Sequence, residues 1–460
     1  MDNSKKVKSS GKALIPFLIF ILVYMGTGLI LQFQGVDMAF YQLPAPVAAL
    51  VAIIFAFIMF KGSIDDKFNT FIKGCGDENI IIMCIIFILA GAFSTVSSSM
   101  GAVESTVNFA LTLVPAQYIT AGIFIIACFI SLATGTSVGT IVAVGPIAVG
   151  LAEKGGLHMP LVIAALMGGS MFGDNLSVIS DTTIAATRTQ GCEMRDKFRC
   201  NIMMALPAAV LTVILLLIFG KPVQTVAAEI NSYNIVKMVP YILVLLASLI
   251  GVNVFVVLTA GILSSGIIGL LYGNFTLLVL GQQVYEGFAG MFEIFILSIL
   301  IGGLSYMVAE EGGIQWILEK VKGMIKGRKS AEIGIAALVG LTDMATANNT
   351  VAIIINGPIA KELCHEYKVD PRRSASLLDS FSCIMQGLIP YGAQMLIAVG
   401  FTNGLVSPFQ VIPLIWYVLF LAIFAIFSIF VPYTDGAIKN DLWNFEHDMP
   451  ESKLAMKKEV

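Results

Sequence analysis

The chain has 460 residues, of which 57% are hydrophobic and only 12% charged, with a formal net charge of −3 and a mean hydropathy of +0.89. A soluble domain carries about a quarter charged residues, so this composition describes an integral membrane protein, and the absence of any basic patch or aromatic-rich basic motif excludes nucleic acid as a partner. Seven cysteines are scattered without a Cys-x-x-Cys pair and read as small buried residues rather than a metal or disulfide framework.

Residues 13–34 are long enough to span a hydrocarbon core of ~30 Å. Lys5, Lys6, Lys8 and Lys12 precede them. The apolar run is too long for a signal peptide and no Ala-x-Ala site follows, so it is predicted as a retained first span. Apolar stretches at 43–60 and 79–97 predict two more spans. Residues 103–113, with Glu104, predict an amphipathic helix lying in the interface. Residues 118–153 are too long for one crossing at about 1.5 Å per residue. The small and hydroxyl residues Thr134–Thr140 interrupt them, which predicts a re-entrant hairpin. Residues 159–187 predict a helix broken in its middle, and 200–220 a further span.

The same plan recurs 212 residues later. Apolar stretches at 255–272, 291–309, 330–365, 371–399 and 412–432 match those above, 315–326 matches the interfacial helix, and Thr342–Thr350 interrupts the second hairpin. Gly145-Pro146-Ile147-Ala148 returns as Gly357-Pro358-Ile359-Ala360, and Thr134-Gly135-Thr136-Ser137 falls on Thr346-Ala347-Asn348-Asn349. Two such units predict an all-α, inverted-repeat secondary transporter of about ten transmembrane helices plus two re-entrant hairpins. Residues 1–220 form the first repeat (hairpin 118–153, broken helix 159–187). Residues 221–440 form the second (hairpin 330–365, broken helix 371–399), and 441–460 a cytoplasmic tail. Five crossings per half is an odd number, so the second half is inverted. With the N-terminus inside, every lysine and arginine except Lys154, Lys221 and Lys237 falls on the cytoplasmic side, including Arg188, Arg195, Lys197 and Arg199. That asymmetry fits the positive-inside rule and places both termini in the cytoplasm of a multi-pass inner-membrane protein.

Polar clusters at membrane depth are the functional candidates, because broken backbone is tolerated there only inside protein or along a water-filled cavity. Carbonyls and hydroxyls at a break hold a small hard cation, and helix N-termini attract an anion. The first tip offers Thr134, Thr136 and Ser137, with Gly135 and Gly139 permitting unusual backbone angles. The second offers Thr346, Asn348, Asn349 and Thr350, preceded by Asp343. The broken helix supplies Asp174, Asn175, Ser177, Ser180, Asp181 and Thr182. Asp174 and Asp181 are seven residues apart and would share a face of an intact helix; a carboxylate at such depth is a functional-site hypothesis by default. In the second half, Gln386 falls where Asp174 stands and Ala393 where Asp181 stands. Ser382, Gln386 and Gln394 keep polarity there without either charge; Asp379 reads as a cap or a partner of a neighbouring helix. The expectation is one charged cation site and one neutral, amide-rich site for a substrate or second ion.

The strings GTSVGT (135–140) and FGDNLSVISDTT (172–183) resemble the signature of the NhaC-type sodium/proton antiporter family of the ion transporter superfamily, over nearly the whole chain. The resemblance implies sodium-coupled exchange, a scaffold and a transport domain, and a homodimer moving as an elevator. Two departures, Val138 where the family pattern has Trp and Val178 where it has Pro, leave the family's best-known substrate open for this branch. The expected function is therefore sodium/proton antiport by alternating access. Sodium would sit near Asp174, Asn175 and the Thr136-Ser137 tip, and a proton would compete for Asp174 or Asp181. The alternative is a sodium-coupled carrier of a small organic acid or amino acid held by Asn348, Asn349, Gln386 and Gln394. A channel fits two closed tips less well, and no nucleophile–base pair or metal-ligand spacing points to an enzyme. No cofactor is expected; sodium and protons are cargo.

Overall fold

The computed structural model describes residues 9–34, 36, 42–177, 180–222, 233–249 and 252–458. Almost everything in it is helix. The first half runs α1 (Ile15–Phe33), α2 (Ala45–Met59), α3 (Ile64–Cys75), α4 (Glu78–Ser99), α5 (Ala102–Leu113), α6 (Ala116–Thr134), α7 (Ser137–Gly155), α8 (Met159–Leu176), α9 (Asp181–Gln190) and α10 (Met194–Phe219). The second runs α11 (Ile235–Leu249), α12 (Val254–Leu271), α13 (Leu277–Gly290), α14 (Phe292–Glu310), α15 (Gly313–Lys322), α16 (Arg328–Thr346), α17 (Asn349–Tyr367), α18 (Pro371–Leu388), α19 (Ala393–Gly400), α20 (Pro408–Val411) and α21 (Trp416–Phe430). The tail adds α22 (Gly436–Lys439), a two-stranded hairpin of β1 (Trp443–Asn444) and β2 (Met449–Pro450), and α23 (Glu451–Lys458). The bounds of α16, α17 and α18 lie 212 residues beyond those of α6, α7 and α8.

Eight helical stretches among the described residues are long and apolar enough to cross a membrane, or nine if the bent pair 408–414 and 416–430 is one span. The count differs from the expected ten because α2 and the apolar part of α11 are shorter, while α7, assigned above to a hairpin, qualifies on length. The stretch Met159–Gln190 is 94% buried, whereas Met194–Phe219 is 33% buried. The broken helix is thus shielded inside the bundle, as unsatisfied backbone requires in lipid, and α10 lies at the rim. Leu206, Val210, Ile214 and Ile218 on α10, and Ile423, Phe427 and Phe430 on α21, are exposed as an apolar outer face.

Local chemistry explains the breaks. α6 ends at Gly135 in the left-handed region (φ 71°), and the Thr136 hydroxyl then caps α7 by accepting the Gly139 amide at 3.3 Å. The second tip repeats this with Ala347 (φ 52°) and the Asn348 side chain, which accepts the Val351 amide at 3.0 Å. Within each pair the helices pack on each other across a two-residue turn. α8 lies on α6 with little space between them: a Cβ on Gly173 would stand 2.3 Å from the Leu132 amide nitrogen. Two features were not expected from sequence. α3 is an amphipathic helix with a Ser63–Asp66 capping box, and α13 precedes α14.

Candidate functional site

All four helix breaks line one cavity of about 180 Å³. The α6–α7 turn contributes Gly135, Thr136, Ser137 and Val138. The α8–α9 break contributes Asp174, Asp181 and Thr182, and the α16–α17 turn Ala347, Asn348, Asn349 and Thr350. Gln386, Ala393 and Gln394 come from the α18–α19 break, and Ile82 of α4 completes the wall. Four helix N-termini and the carbonyl ends of four others therefore meet around a space large enough for an ion with its waters or for a small organic molecule.

One hydrogen-bonded chain runs through the wall. The Gln386 amide donates to Gln394 Oε1 at 2.7 Å, and the Gln394 amide donates to Ser137 Oγ at 3.1 Å. Ser137 Oγ donates to Asp174 Oδ2 at 2.9 Å, and Ser180 Oγ to Asp174 Oδ1 at 2.6 Å. Ser180 and Thr182 share a bond of 2.8 Å. Asp174 is buried, while Asp181 at the start of α9 is exposed to the cavity. Each Asp174 oxygen thus has one hydroxyl donor and keeps lone-pair capacity for a cation.

Behind Asp174 lies a second polar layer. Asn175 turns away from the cavity: its amide donates to Ser380 Oγ at 3.3 Å, and its Oδ1 accepts from Asn201 at 3.2 Å. Asn201 also donates to Asp379 Oδ2 at 2.9 Å. Lys197 pairs with Asp379 at 2.7 Å, both side chains essentially without solvent exposure, and donates to Thr183 Oγ1 at 2.6 Å and to the Asn175 carbonyl. Lys197, grouped above with the cytoplasmic charges, is therefore buried next to the site. A signal for it existed: Lys197 and Asn201, four residues apart at the start of an apolar helix, share one helical face. Because Lys197 neutralises Asp379, the inner layer adds no net charge, and Asp174 is left as the one buried charge at the cavity wall.

The other expected site residues fall outside the lining. Ser177 is buried and its carbonyl accepts from the Thr183 hydroxyl at 2.8 Å. Ser382 donates to the Asp379 carbonyl at 3.0 Å. Thr346 lines a neighbouring cleft between α14 and α17, of about 260 Å³, to which Asn348 also contributes. Asp343 is fully buried in α16. The side chain of Thr134 and all of Val178 lie outside the described residues.

A helical membrane protein with paired hairpins, two interrupted helices and a carboxylate-bearing cavity among them belongs to the class of secondary transporters. The profile of the Na+/H+ antiporter family matches residues 7–221 and 223–434, so the chain is a member of that family. It is 25% identical to the Na(+)/H(+) antiporter NhaC of Bacillus subtilis over 370 residues, covering 72% of this chain and 78% of that one. It is 21% identical to the malate-2H(+)/Na(+)-lactate antiporter of the same organism, covering 87% and 92%. It is also 21% identical to the arginine/ornithine antiporter ArcD of Halobacterium salinarum, covering 85% and 86%. Among solved structures, the YdaH transporter of Alcanivorax borkumensis aligns over 91% of this chain and 98% of its own with a TM-score of 0.39 and 11% identity.

Proposed function

We propose that this chain exchanges sodium for protons by alternating access, with the cavity-bearing helices moving against the remaining helices in an elevator-like stroke. The observation that carries the reading is the meeting of both hairpin turns and both helix breaks around Asp174. The buried charge of Asp174, beside the exposed Asp181 of the same cavity, suits a monovalent cation or a proton, and neutralising it by either lowers the cost of moving the site through the bilayer. Asp174, Asp181, Thr136, Ser137, Ser180 and Thr182 would hold sodium, with Asn175 and Ser177 supporting the break. The finer architecture belongs to this proposal: two inverted repeats, ten crossings and two hairpins, both termini cytoplasmic, an inner-membrane homodimer.

A second reading has its own support. The amides of Asn348, Asn349, Gln386 and Gln394 offer neutral donors and acceptors that a bare ion does not need, and 180 Å³ exceeds the volume of one sodium ion. The malate–lactate and arginine–ornithine relatives make a small organic or amino acid the natural candidate. Proton flux into liposomes on addition of sodium alone separates the two. Flux that requires an added organic acid or amino acid would replace the antiport reading with the carrier reading. In either case Asp174→Asn, which leaves one acceptor oxygen and no charge, should abolish sodium-dependent transport; near-normal sodium dependence would remove Asp174 from the site.

A further inference from the structure

Asp343 lies on α16, fully buried. Neither of its carboxyl oxygens has a hydrogen-bond partner, and among the described residues it joins no ion pair. The other buried acids near the centre are provided for. Asp174 has two serine hydroxyls, and Asp379 has Lys197 and Asn201. Of the charged groups on the helices packed against α16, Asp379 pairs with Lys197, Arg373 with Glu332 of α16 itself, Arg372 with Asp370, Lys322 with Glu362, and Lys361 and His365 with Asp448, so none of these pairs includes Asp343. Cys383 on α18 and Tyr391 in the α18–α19 break are among the titratable side chains near Asp343.

The matching position of the first half offers a comparison. Ser131, 212 residues earlier, donates its hydroxyl to the Ser170 carbonyl on α8 at 2.6 Å. Ser170 in turn corresponds to Ser382 on α18. An ionised carboxylate cannot donate, whereas a carboxylic acid has one O–H donor, so of the two forms of Asp343 only the neutral one is able to make the kind of bond that Ser131 makes. Burying an isolated carboxylate costs far more than burying the neutral acid.

We propose that Asp343 is a proton seat distinct from the sodium cavity, and that its proton is one of those the protein moves. The second half thus carries a releasable donor where the first half has a fixed one. The seat touches the cavity's machinery through Tyr391, whose hydroxyl donates to the carbonyl of Met344, the next residue along, at 2.6 Å. Tyr391 lies between Gln386 and Gln394 in sequence, so a shift of that break would alter both sites. The role in transport rests on the antiport reading; the seat itself does not.

Asp343→Asn and Asp343→Ser each keep a donor and cannot release a proton, so both should fold. Infrared spectra of the full-length protein should show a neutral-acid C=O band that is missing from both variants. In liposomes both should still exchange labelled sodium across the membrane, while protons moved per sodium ion fall by about one. A band unchanged in both variants would overturn the seat, whichever ions the wild type moves. A lost band with an unchanged proton-to-sodium ratio would make Asp343 a structural acid and overturn its role in transport. A lost band with no sodium-driven proton flux in the wild type would sink the antiport reading and leave the seat standing.

Discussion

Asp174 and Asp379 are both buried acids, yet they are treated differently. Asp379 faces a lysine; Asp174 faces only hydroxyls. Removing one member of a buried ion pair leaves an uncompensated charge, at a cost of about 3–5 kcal/mol. Lys197→Met and Asp379→Asn should each lower the thermal stability of the purified protein by that order. The double variant should recover much of it, and additive losses would mean that the pair is not coupled. The Asp174–Ser137 contact was foreshadowed in sequence because hydroxyl and carboxylate residues stand out inside apolar runs, where they are costly. Lys197 was hidden because it sits among Arg195 and Arg199, which read as a solvated loop. Only its spacing of four from Asn201, on one face of the helix, set it apart from its charged neighbours.

At the level of elements, the tips were legible because each apolar run is too long for one crossing and is interrupted by small and polar residues, and each break is capped by its own hydroxyl or amide side chain. The two turns share a left-handed residue but not its chemistry. A Cβ in that conformation costs roughly 1 kcal/mol. Gly135→Ala should therefore lower stability by about 1 kcal/mol, while Ala347→Gly should hold or raise it. Equal losses in both, read by thermal unfolding, would show that the tips do not depend on that backbone angle. α3 and α13 were not read as separate elements: α3, with Asp65, Asp66, Lys67 and Lys73, reads as a charged connection between spans, and α13 runs into the apolar stretch of α14. The tail hairpin escaped as well, since two-residue strands have no periodicity to detect.

For the whole molecule, the arrangement is an apolar rim around a polar centre, and the tail is part of the centre's fastening. Asp448 pairs with Lys361 at 2.6 Å, accepts from the Trp443 indole at 3.3 Å and lies 3.3 Å from His365 Nε2. Lys361 and Arg372 stack on Trp443, and Lys368 on Phe445. Lys453 reaches Glu193, between α9 and α10, at 2.5 Å. The segment expected to be a cytoplasmic tail joins the ends of α17, α18 and α9, all of which reach the cavity at their other ends or across their breaks. Trp443→Ala, which removes a nearly buried ring, should speed hydrogen exchange in α23 and in the last turn of α17 and leave α4 and α12 unchanged. Uniform acceleration would mean a global loss of stability instead. Glu446 and His447, at the exposed turn of that hairpin, are consequently tied to the helices that line the cavity. A fluorophore there, paired with one on exposed Lys61 before α3, would turn any displacement of the buried cavity into a distance read from the water phase.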